Sequence, residues 1–103
     1  MPDILLNVPM DFAYTQHHGP RRTKTLGVFI HSTRSGRSWS LVEEYTNTVG
    51  YFRSSGEASA QLVVGPFRVA RVVGDDYESW HAQENNKTHL GIEVCQPRAY
   101  HPF

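Results

Sequence analysis

From residue 26 onward the chain alternates between short apolar runs and polar breaks, and the spacing changes from run to run. Residues 26–30, LGVFI, are continuously apolar, which suits a strand buried on both faces at the centre of a sheet. The run stops at His31-Ser32-Thr33 and gives way to the loop RSGRS. Ser40-Leu41-Val42-Glu43 has the form of a capping box, in which hydroxyl and carboxylate satisfy two orphan amides at a helix start. Apolar residues then recur at Leu41, Val42, Tyr45, Val49 and Phe52, one face of a helix over 41–52. Thr46, Thr48 and Gly50 weaken its propensity. Residues 58–64, the break Gly65-Pro66 and residues 67–73 predict a hairpin with a tight turn, closed by Gly74-Asp75-Asp76.

Residues 90–95 alternate. Leu90, Ile92 and Val94 point one way, Gly91, Glu93 and Cys95 the other, and Gln96-Pro97 ends the strand. The first 24 residues hold three prolines, a His-His pair and a basic cluster, and predict an irregular arm with one short strand at 4–7. The order strand, helix, hairpin, strand predicts a mixed α/β fold with a single central β-sheet and flanking helices. In it, strand 26–30 is central and strand 90–95 lies beside it. The arm spans 1–25 and the domain 26–103.

Composition narrows the classes. A chain of 103 residues with 39% hydrophobic positions supports one small domain, which buries roughly 60–65% of its unfolded surface. Ten basic and ten acidic residues cancel, so no field of one sign draws the chain to nucleic acid. The cluster Arg21, Arg22 and Lys24 reads as a solvated loop. The single cysteine, Cys95, forbids an intrachain disulfide and reads as a small buried hydrophobe. No apolar stretch approaches the ~20 residues of a membrane span. The start, MPDILLNVPM, has no basic n-region and carries Asp3, unlike a signal peptide.

Several residues could carry chemistry. His31 follows an apolar strand directly, where a rigid backbone positions a metal ligand or a base well; the alternative is a hydrogen-bonded histidine at a sheet edge. Glu93 sits mid-strand on the face opposite three aliphatic residues. A carboxylate there is costly to bury without a partner or a task, unless the strand is an edge and Glu93 is solvated. Facing a cleft, it could serve as a general base. Trp80-His81 could form the wall of a sugar or peptide cleft, or a core plug with an exposed neighbour. His17, His18, His89 and His101 form no short-range ligand motif, and neither a Gly-rich phosphate loop nor a G-x-S-x-G elbow occurs.

Four blocks in order resemble the zinc amidase family of N-acetylmuramoyl-L-alanine amidases and peptidoglycan recognition proteins. GVFIHST at 27–33 is similar to the strand ending in the family's first zinc histidine. ASAQLVV at 58–64 is similar to its hairpin strand A-S-A-H-Y-V-V. SWHAQENN at 79–86 resembles its A-W-H-A-G loop with the following Asn, and HLGIEVCQP at 89–97 its S-I-G-I-E strand. The resemblance spans about residues 26–97. It implies that His31 is a zinc ligand, that Glu93 assists the attacking water, and that Trp80, His81 and Asn86 lie at the muramyl-peptide cleft. The implied reaction is hydrolysis of the amide between the lactyl group of N-acetylmuramic acid and L-alanine, with Zn2+ as cofactor. The implied setting is cytoplasmic synthesis and action on the cell wall.

The chain departs from the family pattern at Gln61 (usually His or Asn), Leu62 (usually aromatic) and Gln83 (usually Gly). It also lacks the family's C-terminal helix and the segment carrying a second histidine and an Asp or Cys. Three expectations follow. The fragment should be active only with the missing part, and a non-catalytic peptidoglycan-binding module is the alternative. A metal site rebuilt from local residues, such as His31 with His89 or His101, is a third reading. The apolar face of Leu90, Ile92 and Val94 should also need a covering layer, from a homo-oligomer or a complementing C-terminal chain.

Overall fold

The computed structural model describes residues 8–54 and 56–98. Among the described residues, five strands form a single mixed sheet and one α-helix covers one of its faces. The strands are β1 (Met10–Phe12), β2 (Gly27–Ser32), β3 (Leu62–Gly65), β4 (Arg68–Arg71) and β5 (His89–Val94), and the helix α1 is Leu41–Ser54. Their order across the sheet is β1-β4-β3-β5-β2. Only β3 and β4 pair antiparallel; β1 with β4, β3 with β5 and β2 with β5 are parallel.

The expected elements form. The hairpin pairs Leu62 with Arg71 and Gly65 with Arg68, leaving Pro66-Phe67 as its turn. Helix α1 starts at the capping box: the Glu43 amide donates to Ser40 Oγ at 3.2 Å, and the Ser40 amide donates to Glu43 Oε1 at 3.0 Å. Those bonds hold the Glu43 carboxyl below its usual range.

Two expectations need correction. Strand β2 is at an edge of the sheet, bonded only to β5, and the central strands are β3 and β5. An apolar run signals cover on both faces, not a rank in the strand order. Residues 10–12 of the expected irregular arm form an edge strand, with Met10 opposite Val69 and Phe12 opposite Arg71. The short strand expected at 4–7 lies outside the described residues.

Register divides the side chains between two faces. On the helix side, Tyr45 and Phe52 of α1 pack with Ala60, Val63, Ala70, Val72, Val73 and Cys95 to form the buried core. Gly65 lets the helix approach, since a Cβ there would stand 2.6 Å from Tyr45 Cγ. Tyr45 Oη donates to Asp11 Oδ2 at 2.7 Å and Arg68 Nε donates to the same oxygen at 2.7 Å, so one carboxylate joins β1, β4 and α1. Arg68 first and Tyr45 second hold Asp11 down at a pKa of about 2.

The opposite face has no covering element among the described residues. Strand register places Met10, Phe12, Val28 and Ile30 there with half-buried Leu62, Val64, Leu90 and Ile92. Ile30 is 72% exposed and Phe12 71%. Full burial of each such side chain is worth about 1.5–3 kcal/mol, so the open face forgoes a large stabilisation for so small a domain.

Candidate active site

Parallel pairing of β2 with β5 sets His31 opposite Glu93. Both project to the helix face and line one cavity of about 210 Å³, with Ser32, Phe52, Ala58, Ser59, Trp80 and His81. Glu93 and Phe52 also border a second cavity of about 380 Å³, which runs along α1 past Glu44, Thr48 and Tyr51 to Arg37 and Trp39. Glu93 and Phe52 thus line both cavities.

Burial raises the Glu93 carboxyl to a pKa of about 7, helped by the charge of Glu44. Glu44 is fully buried on α1. Its Oε1 accepts from Ser35 Oγ at 2.7 Å, and its Oε2 has no hydrogen-bond partner among the described residues. The capping box in the sequence singles out its neighbour Glu43 instead. The missed signal was helical spacing: Glu44, Thr48 and Phe52 are four apart and face the cleft together.

His81 lies against the sheet. Its ring rests on Gly91, where a Cβ would come within 2.6 Å of the imidazole Cγ. One ring nitrogen, Nδ1, is 3.2 Å from His31 Nε2, and the other, Nε2, is 2.9 Å from the carbonyl oxygen of His89. Burial lowers the His81 pKa below 6.5; the bond to His89 opposes that shift, and His31 and His89 add to it.

A buried polar knot holds these parts. Gln61 Oε1 accepts from Ser79 Oγ at 2.6 Å and from the Gly91 amide at 2.7 Å, while its Nε2 donates to the Tyr77 carbonyl at 2.8 Å. The departure at position 61 thus ties the hairpin, the loop before Trp80 and β5 together. The Trp80 amide donates to Ser59 Oγ at 2.9 Å, which fixes the indole at the cavity wall. Asn86 is buried, and its Oδ1 accepts from the amides of His81 and Ala82 at 3.1 and 2.7 Å. It shapes the loop and does not line the cavity. His89 stacks on Phe29 at 4.6 Å, and its Nδ1 contacts Thr88 Oγ1 at 2.9 Å. His101 lies outside the described residues.

A catalytic zinc site ordinarily takes three protein ligands and keeps one open position. Among the described residues no group of three His, Cys, Asp or Glu could hold a metal ion. His31 can supply one imidazole, and the Glu93 carboxyl stands opposite it on β5. The fit is to one corner of such a centre.

No family model matches the sequence, and no curated protein is similar to it in sequence. Solved structures do match the fold. Staphylococcus aureus hydrolase AmiA, determined with its ligand, aligns at TM-score 0.61 and 19% identity, over 88% of this chain and 45% of that one. A mutant endolysin from Bacillus subtilis aligns at 0.64 and 15%, over 93% and 66%. The catalytic domain of XlyA aligns at 0.63 and 15%, over 92% and 65%. The chain shares the fold of these structures, and it spans about half to two-thirds of their length. No helix among the described residues is long and apolar enough to cross a membrane.

Proposed function

We propose that this chain is the N-terminal portion of a zinc-dependent N-acetylmuramoyl-L-alanine amidase that acts on peptidoglycan. The observation that carries the reading is the pairing of His31 and Glu93 across adjacent strands, facing one cavity, on a fold shared with a hydrolase, an endolysin and the catalytic domain of XlyA. His31 would hold the metal together with ligands from chain beyond these residues. Zinc, when bound, polarises the scissile carbonyl and brings the pKa of a coordinated water down to about 7. Glu93 acts twice. With its pKa at about 7 it is poised at neutral pH to take a proton from the attacking water, whose oxygen adds to the lactyl carbonyl carbon. It then returns that proton to the alanine nitrogen as the C–N bond breaks. Trp80 supplies a flat apolar wall for the substrate.

We assign 26–103 as the amidase-like domain, with the preceding residues contributing the edge strand β1 to its sheet. The open sheet face and the missing ligands point to the same supplement: a complementing C-terminal segment that covers Val28, Ile30, Leu90 and Ile92 and brings the remaining donors. The test is incubation of peptidoglycan with the chain and zinc, with and without such a segment, scored by new N-terminal L-alanine. A non-catalytic binding module is favoured by the incomplete ligand set. It predicts peptidoglycan binding that Glu93→Gln leaves unchanged, with no alanine released under either condition.

A further inference from the structure

The hydrolysis assigned to Glu93 makes no use of Glu44. That residue is fully buried in the first turn of α1, and it lines the cavity of about 380 Å³ that runs along the helix. Its two oxygens differ. Oε1 accepts from Ser35 Oγ at 2.7 Å, while Oε2, also buried, has no hydrogen-bond partner among the described residues. A buried acceptor without a donor is costly, and an unpaired buried charge more so. Such an atom calls for a donor from outside the fold.

The surroundings define that donor. Glu93 lines the same cavity, and the charge of Glu44 already opposes ionisation of its carboxyl. A positively charged group relieves that repulsion, whereas a neutral donor does not. Among the residues lining the cavity Arg37 alone is cationic, and its guanidinium lies over the Trp39 ring at 5.4 Å, leaving Glu44 Oε2 unpaired. Tyr51 and Phe52 of α1 line the cavity beyond Glu44. Aromatic rings attract a cation on their faces and pack against an alkyl chain. Size follows from the cover over Glu44. A guanidinium or quaternary ammonium is too broad to reach it. A primary ammonium is a compact charge with three donors on a flexible stem, and it needs only the exposed side chains of Arg37 and Asn47 to move aside.

We propose that this cavity is a subsite for a primary ammonium group on an unbranched alkyl chain, with Glu44 Oε2 as its acceptor and Tyr51 and Phe52 flanking the chain. The source of the amine rests on the amidase reading: it is the side-chain amine of a diamino acid in the peptide stem, and Glu44 selects stems that carry it free. The ammonium site itself stands without that reading.

The test needs neither metal nor turnover. In the carbon-13-labelled chain, the Glu44 carboxyl carbon is followed at fixed pH and ionic strength while one of three probes is added. These are a lysine-containing stem tripeptide, the same peptide acetylated on the lysine side chain, and n-butylamine hydrochloride. The free peptide and butylamine should both shift the Glu44 signal and saturate. The acetylated peptide should bind at least about tenfold more weakly, the loss of one charge-assisted hydrogen bond. Glu44→Gln should weaken the free peptide to the level of the acetylated one. Equal binding of the two peptides, a shift reproduced by potassium chloride, or no response to either amine would overturn the proposal. A response to butylamine with none to the free peptide would overturn the stem as the source of the amine. The peptide comparison uses the unmodified chain, so a Gln variant that fails to fold does not decide the outcome. Failure of the amidase reading shows separately, as no alanine released by the complemented domain.

Discussion

Replacing Glu93 with Gln should stabilise the fold above neutral pH while abolishing hydrolysis. Glu93 has a folded pKa of about 7 against an ordinary 4.5, chiefly through burial and next through the charge of Glu44. Below about 4.5 the residue is protonated in both folded and unfolded chains and costs nothing. Between those values the folded state keeps a proton that the unfolded chain has released, so stability falls as pH rises through about 7. The gap corresponds to about 3 kcal/mol at most, at about 1.4 kcal/mol per pH unit. Glu93 is only part-buried, and solvent screening reduces this to about 1–2 kcal/mol. Gln is nearly isosteric with the neutral acid and carries no charge. In melts of the metal-free chain, the variant should therefore match the parent near pH 4.5. Near pH 8.5 it should melt higher, by ~4–8 °C per kcal/mol for a domain of this size. Equal effects at both pH values, or a loss of stability at alkaline pH, would refute the burial argument and with it the placement of Glu93 in the cleft.

Other outcomes follow from the same geometry. Glu44→Gln removes the second cause of the Glu93 shift, so a carbon-13 titration of the Glu93 carboxyl should give a midpoint lower than about 7; an unmoved midpoint would show that the two do not interact. Tyr45→Phe removes the hydroxyl that Asp11 accepts from, which should cost about 1 kcal/mol in urea unfolding. It should also raise the Asp11 pKa from about 2, while Arg68 keeps it low; unchanged unfolding and titration would break the link from β1 to α1. The open face should make the chain associate at micromolar concentration, or gain stability on adding a complementing segment. A monodisperse monomer with a cooperative melt, unaffected by the segment, would count against that.

Local signals in the sequence were sound where the physics is local. The capping box at Ser40 and Glu43 closes as its spacing requires, and alternation over 90–95 puts Glu93 and Cys95 on the core side of β5. The pairing of His31 with Glu93 was legible through the two strand ends, because parallel register carries one onto the other. Strand order was not. The LGVFI run states that β2 needs cover on both faces, and Val28 at 47% and Ile30 at 72% exposure show that need still open on one of them. Strand β1 was hidden because three residues beside a proline carry too little pattern. Glu44 was hidden because a carboxylate in a first helical turn ordinarily caps or faces water. His81 lines the cavity beside Trp80, while its seat on Gly91 across the fold is something no local pattern encodes.

The most direct test of the account is the bond that is cut. Purified peptidoglycan should be digested with this domain, complemented by the segment that completes it and supplied with zinc, and the products read by mass spectrometry and N-terminal labelling. The account predicts stem peptides with a free L-alanine amine and glycans with an intact lactyl carboxylate, lost with Glu93→Gln or His31→Ala and on chelation. Cleavage at a sugar linkage or within the peptide, or alanine release that survives both substitutions, would contradict it.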